Sequence, residues 1–254
     1  MSAAQPPTPR VQRVTLAVRE PARELLGAAA DLARDLQAQL AALFVEDLSL
    51  LRVAALPATR EIGRVSGVAR AFDLADLERM LRWQAQQLHE QLASAAQAAS
   101  LPWSFEVRRG DLLEQVLELL APEQAVVLGR RAGAGRARTE ERSRVSVVLD
   151  SAHGDLGALH VALRVARGGS VSVLLTGPQA DLLALRVRVE REIGSLSAGG
   201  KIELTTQQPQ ALLARSGLAL RGRALILSGG FVRSDPQTLK ALIEATRGLL
   251  ILVG

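Results

Sequence analysis

The sequence predicts an α/β architecture of two consecutive open parallel-sheet units. Three observations predict it. A strand, helix, strand, helix order begins at Arg13-Val-Thr-Leu-Ala-Val18 and begins again at Arg144-Val-Ser-Val-Val-Leu149. The second strands of the two copies, Leu40-Ala-Ala-Leu-Phe-Val45 and Val171-Ser-Val-Leu-Leu175, each follow an Ala/Leu-rich helical stretch. Phe105-Glu-Val107 and Ala125-Val-Val-Leu128 are echoed by Ile202-Glu-Leu204 and Ala224-Leu-Ile-Leu227. A repeat of this length fits a duplicated α/β unit, not a solenoid.

The elements follow in order. The strand at 13–18 is apolar on both faces, which suits a central parallel strand covered by helices. Pro21 opens a helix to about Gln37, where its missing N–H costs little. Leu25, Leu26, Ala29, Leu32, Ala33 and Leu36 make the inward face of that helix. The stretch 46–72 holds Leu48, Leu50, Leu51, Val53, Leu56, Ile62 and Val65, so it is expected to pack as a lid or short helix. Asp73 caps a long helix striped with Leu74, Leu77, Leu81, Leu88 and Leu92. A third strand runs from Trp103 to Val107. Gly110-Asp111 leads into a helix at 112–120, with Asp111 as its cap, and a fourth strand follows at 125–128.

In the second half, a helix ends near Arg167 after the strand at 145–149. The next elements are a helix at about 179–196, a strand at 201–205, a helix at about 209–220 and a strand at 224–227. Gly229-Gly230 is read as a turn, Asp235-Pro236 starts a helix, and Leu249–Val253 is a fifth strand. The first half shows no comparable fourth helix and fifth strand. It is either truncated or borrows an edge strand. The domains so defined are a polar, Pro-rich tail at 1–12 expected to be disordered, a first domain at 13–140 and a second at 141–254.

Composition narrows the function. The chain has 254 residues, 48% of them hydrophobic, so it can bury a sizeable core. Aromatics are only 2%, which leaves few platforms for stacking bases and makes single-stranded nucleic acid an unlikely partner. Net charge is +5, carried by arginine, with Lys201 and Lys240 the only lysines. That surplus is small for a nucleic-acid binder of this length. The absence of Cys excludes disulfides and thiolate chemistry. His89, His153 and His160 lie outside metal-ligand spacing, so no metal site is expected. No His neighbours a Ser motif and no carboxylate pair stands out. Asp111 and Glu114 share one helix turn, but a cap and a solvated helix face explain them. The expectation is therefore a protein that is not an enzyme. No apolar run is long enough to span a membrane, and the expected location is cytoplasmic.

The order of these elements resembles the universal stress protein family. The resemblance rests on the second strand ending in Phe44-Val-Glu-Asp47, on Arg109-Gly-Asp111 after the third strand, and on Ala125-Val-Val-Leu-Gly129 at the fourth. It covers 13–130 closely and 144–254 more loosely. It implies two Rossmann-like sheets of strand order 3-2-1-4-5, the first lacking part of its C-terminal helix and fifth strand. It implies an internal pseudo-dimer of the two domains, a possible homodimer, and a stress-response or regulatory role. It also implies an adenine nucleotide ligand, with ATP, ADP and AMP as the possibilities and none certain.

In nucleotide-binding members an Asp after strand one meets the adenine, and a glycine loop ending in Gly-Ser/Thr after strand four wraps the phosphates. This chain departs from both patterns. Arg19 stands at the Asp position of the first copy. After Gly129, Ala132 and Arg142 replace the later glycines, and only Ser143 agrees. Gly133 and Gly135 keep the loop permissive, while Arg130, Arg131, Arg136 and Arg138 are planar phosphate donors. The same loop also reads as a solvated linker. The second copy keeps Asp150-Ser151, though Asp150 equally suits a helix cap. Its loop 228–234 lacks the family spacing. Candidate nucleotide or anion contacts are thus Arg19, Val45, Gly129, Arg130, Arg131, Gly133, Gly135, Ser143, Asp150 and Ser151. Phosphate is expected in the first crevice and an adenine amino group at Asp150 in the second. A ligand-free interaction module of the same fold is the alternative.

Overall fold

The computed structural model describes residues 11–56, 59–62, 67, 69–71, 73–129, 145–152, 156–195, 202–206, 224–234, 236–245 and 248–254. The first half contains β1 (Arg13–Val18), α1 (Arg23–Leu36), β2 (Gln39–Asp47), α2 (Leu48–Ala54) and the short strands β3 (Arg60–Ile62) and β4 (Ala69–Ala71). It continues with α3 (Leu74–Ala98), β5 (Trp103–Gly110), α4 (Leu112–Leu119) and β6 (Gln124–Gly129). The second half contains β7 (Val145–Asp150), α5 (Gly157–Ala166), β8 (Val171–Thr176), α6 (Gln179–Ser195) and β9 (Ile202–Thr206). It ends with β10 (Ala224–Ser228), α7 (Gly229–Ser234), α8 (Pro236–Ala245) and β11 (Leu249–Val253).

The strands do not form two separate sheets, as the repeat led us to expect. They form one nine-stranded sheet in the order β5-β2-β1-β6-β11-β10-β7-β8-β9. The second half has the full 3-2-1-4-5 order, read as β9-β8-β7-β10-β11. The first half has 3-2-1-4, read as β5-β2-β1-β6, and the fifth place is filled by β11 from the other half. Strands one and four pair in parallel in both halves, as predicted. At the junction β11 runs parallel to β10 and antiparallel to β6. The cause lies in the Leu-Leu-Ile-Leu-Val run. It is apolar on both faces, and its backbone groups on both edges need partners that an outer strand would lack.

The side chains of each strand alternate between two packed layers. One layer joins Val14, Leu16, Phe44, Val127, Val147, Leu175, Ile226 and Ile251 to buried faces of α1, α3, α5 and α6. The other joins Ala17, Leu43, Val126, Val148, Leu227, Leu250 and Leu252 to α4, α7 and α8. Both layers run through the two halves without a break. A salt bridge from Arg167 Nη2, after α5, to Asp35 Oδ2 of α1 adds a 2.7 Å link across the halves. That contact raises the pKa of Arg167, first through its hydrogen bond and then through the carboxylate charge.

Most elements fall where the sequence put them, with two differences. Val11 is buried and Gln12 N–H donates to Glu123 O at 2.7 Å, so these two belong to the folded unit instead of the tail. Gly229-Gly230 begins the helix α7 where a turn was expected. In the 46–72 insert α2 is the expected short helix; of its residues Ala54 is buried, and Leu48 and Leu51 are partly so. Leu50, Val53 and Leu56 stay exposed, and Ile62 is 66% exposed. The short-helix alternative is therefore the one realised over 48–54, and a single short helix can turn only one stripe inward. The expected helix at 209–220 lies outside the described residues.

Candidate functional site

In an open parallel sheet ligands sit beyond the carboxyl ends of the strands, at the point where the winding reverses. In the first half this point lies after β1 and β6. Arg19 follows β1, and its guanidinium is already engaged. Nη1 lies 3.2 Å from Asp47 Oδ2 and Nη2 lies 3.3 Å from Asp111 Oδ2. Both aspartates also cap helices. Asp47 Oδ1 accepts from Ser49 N–H at 2.9 Å and Leu50 N–H at 3.3 Å at the start of α2. Asp111 Oδ1 accepts from Leu113 N–H at 2.8 Å and Glu114 N–H at 3.3 Å at the start of α4. Each carboxylate thus uses one oxygen for a helix and the other for Arg19. The arginine ties two helix N-termini together over the ends of β1 and β2.

A second pair flanks it. Arg109 Nε donates to Glu46 Oε2 at 2.7 Å. Glu46 is only 7% exposed, whereas Arg109 reaches into solvent. The hydrogen bond from Arg109 to Glu46, and then the charge of Glu46, push the pKa of Arg109 up. Sequence reading missed this pair, yet it carried a signal. Strand order 3-2-1 sets β5 beside β2, and the register places Glu46 opposite Arg109.

Two further candidates of the first half are packing residues. Val45 is buried in the layer that contains Val116 of α4. Gly129 lies against α1 and the start of β11. A Cβ there would come within 2.7 Å of Leu25 Cδ2 and 3.1 Å of Gly248 O, so glycine permits this close approach. Arg130, Arg131, Gly133, Gly135 and Ser143 lie outside the described residues.

The second half presents a different crevice. β7 ends at Asp150, which is 9% exposed and opposite Thr176 at the end of β8. Asp150 does not cap α5, which starts at Gly157 with Leu156 at its N-cap and no side-chain cap. Instead Asp150 Oδ1 accepts from Ala152 N–H at 3.2 Å, a local turn. Ser151 N–H donates to Thr176 O at 2.9 Å, which draws the two strand ends together. Gly177 follows with φ at 129°, a conformation suited to glycine. A Cβ on it would collide with the Ser151 hydroxyl and lie 3.1 Å from Asp150 Oδ1. The hydroxyls of Ser151, Thr176 and Ser228 are buried and make no hydrogen bond to a described residue. Buried hydroxyls are rarely left so without a partner.

The antiparallel junction has a geometric consequence. Gly129 lies beside Leu249, which begins β11, and Ala224 pairs with both Leu249 and Val145. Gly129 therefore lies on the sheet edge where β7 begins, and Asp150 lies on the edge where β7 ends. A six-residue strand separates those edges by roughly 16–20 Å. The described ends of the two crevices, Gly129 and Asp150, therefore lie on opposite edges of the sheet.

Among the described residues no group of three or more His, Asp or Glu is placed to hold a metal ion. No described helix is long and apolar enough to cross a membrane.

No protein-family model matches the chain, and no curated protein is significantly similar to it. Solved structures do match. A universal stress protein from Archaeoglobus fulgidus DSM 4304 is 14% identical with a TM-score of 0.55, covering 97% of this chain and 97% of that one. A structure classed with the universal stress proteins, from Pseudomonas aeruginosa UCBPP-PA14, is 12% identical at TM-score 0.43, covering 96% and 93%. The cytoplasmic domain of a prokaryotic cation chloride cotransporter is 14% identical at TM-score 0.47, covering 95% and 94%. The first match defines the class of architecture: the chain has a universal-stress-protein-like fold.

Proposed function

We propose that this chain is a tandem universal-stress-type regulatory module of stress response. On this reading it is not an enzyme, and it binds an adenine nucleotide (ATP, ADP or AMP) or another anion weakly, in unequal crevices. The observation that carries the reading is the second crevice. Asp150 there is a buried carboxylate that can accept from an adenine amino group. The unpartnered hydroxyls of Ser151 and Thr176 stand beside it under Gly177. In the first crevice Arg19 stands where the family's Asp would meet adenine, and it is held by Asp47 and Asp111. The proposed anion contacts there are Gly129, Arg130, Arg131, Gly133, Gly135 and Ser143. The units are 13–140 and 141–254, joined as an internal pseudo-dimer, and the site of action is the cytoplasm. The ligand-free interaction module remains the second reading, favoured by the closed ion-pair cluster at Arg19.

The test is a thermal-shift titration with ATP and, separately, with inorganic phosphate. At a ligand concentration a hundredfold above Kd, binding to the native state contributes about 2.7 kcal/mol. Asp150→Ala is expected to abolish the ATP response and leave the phosphate response. The Arg130→Ala/Arg131→Ala pair is expected to do the reverse. A wild-type protein that answers neither ligand belongs to the interaction-module reading.

A further inference from the structure

β5 is the outermost strand of the first half, and among the described residues it pairs with β2 alone. One hydrogen bond fixes which of its backbone groups face outward. Leu40 N–H donates to Pro102 O at 2.9 Å. In a parallel ladder alternate residues turn both N–H and C=O to the same neighbour. Ser104, Glu106 and Arg108 therefore bond to β2, while Trp103, Phe105, Val107 and Arg109 present N–H and C=O to the outside. The stretch 103–110 has neither Pro nor Lys, the usual guards of a free edge. Trp103 and Val107 are exposed on it. Its aromatic face is held from α3, where the His89 ring packs edge-on to Trp103 and Phe105, each at 5.3 Å. α2, packed on α3 and β5, borders this edge with exposed Leu50 and Val53.

We propose that a second copy of this chain docks on this edge, β5 against β5 antiparallel and centred on Val107. Among the registers centred on 106, 107 and 108, the charge pattern favours Val107 and a self-complementary occupant. Pairing must set outward-facing residues opposite each other, so the two-fold centre falls on a residue and not between two. Centred on Glu106, the strand sets Glu106 against its own copy. Centred on Arg108, it sets Arg108 against its own copy. Like charges directly opposite are destabilising. Glu106 and Arg108 already pair within the strand, with Arg108 Nε 2.6 Å from Glu106 Oε1, and centring on Val107 sets Glu106 of each chain opposite Arg108 of the other, joining the two pairs into one alternating cluster. These contacts fall at non-hydrogen-bonded positions, where facing side chains come closest. Val107 meets Val107, and Phe105 meets Arg109. The contact is isologous, so it closes at two chains, whereas β5 on the β9 edge of another copy would propagate. The surface is remote from Asp150, and the inference stands independently of the nucleotide reading.

Sedimentation velocity of the full chain across the micromolar range tests it. Wild type is expected to reach twice the chain mass. Val107→Pro removes an outward N–H without touching the β2 ladder, and is expected to give a monomer with unchanged far-ultraviolet circular dichroism. Glu106→Arg sets arginine against arginine and is expected to weaken the dimer by at least about tenfold. The double exchange Glu106→Arg/Arg108→Glu restores opposite charges and is expected to restore the dimer. A wild-type monomer throughout overturns the proposal. So does a dimer indifferent to Val107→Pro and Glu106→Arg, or a concentration-dependent series beyond the dimer.

Discussion

At the scale of single residues, Arg19 decides what the first crevice is. A carboxylate at this position could accept a hydrogen bond from a base. The guanidinium instead completes two aspartates whose other oxygens are spent on helix N-termini. These ion pairs are partly exposed, and such pairs contribute about 0–1 kcal/mol each. Arg19→Ala is therefore expected to leave the urea midpoint nearly unchanged. A large loss of stability would show that the arginine is a structural keystone instead. Gly177 is the opposite case. Its φ and the adjacent Ser151 hydroxyl leave no room for a methyl group. Gly177→Ala is expected to cost about 1–3 kcal/mol through backbone strain and crowding. Chemical denaturation measures it, and an unchanged midpoint would mean that the strand end relaxes freely.

At the scale of elements, aspartate caps organise the first half. Asp47, Asp73 and Asp111 each accept from the first turn of a helix. Asp73 and Asp111 were legible as caps because each precedes an apolar-periodic run. Asp111 serves both its helix and Arg19, and two variants separate the roles. Asp111→Asn keeps a capping oxygen and loses the charge, whereas Asp111→Ala loses both. The alanine variant is expected to cost about 0.5–2 kcal/mol, and the asparagine variant a few tenths. Equal losses in the two would mean that the ion pair, not the cap, carries the energy. The 46–72 insert was harder to read. Its leucines implied burial, but the seven-residue helix α2 has one inward stripe, and the rest of its apolar surface faces out.

At the scale of the whole molecule, β11 is the element on which both halves depend. It lies between β6 and β10, and Leu250, Ile251 and Leu252 are buried in the two layers that run through the sheet. Leu252→Ala is expected to cost about 2–5 kcal/mol, the range for a buried leucine in a packed core. Deleting 249–254 exposes the edges of β6 and β10 together and is expected to give insoluble protein. A soluble, folded truncation would show that the halves close without it. Because one core spans the chain, thermal unfolding is expected as a single cooperative transition. Calorimetric and van't Hoff enthalpies should then agree. Two separable transitions would mean that the halves are energetically independent despite the shared sheet.

The sequence by itself determined the local elements and the class of fold. Two-sided apolar runs at 14–18, 125–128, 145–149 and 224–227 mark central strands, because alternation and burial are written residue by residue. Likewise Asp73 and Asp111 mark helix starts, since a cap acts within its own turn. It also left two alternatives for the first half, a truncated unit or one that borrows an edge strand. Only the tertiary structure decided that β11 is the borrowed strand, that it meets β6 antiparallel, and that Gly129 and Asp150 consequently lie on opposite edges of the sheet. Strand pairing between halves is a contact across more than a hundred residues, and no local periodicity records its direction. The partners of Arg19 were hidden for the same reason. Asp47 and Asp111 reach it only when β2 lines up beside β1 and β5 beside β2, and that alignment belongs to the sheet.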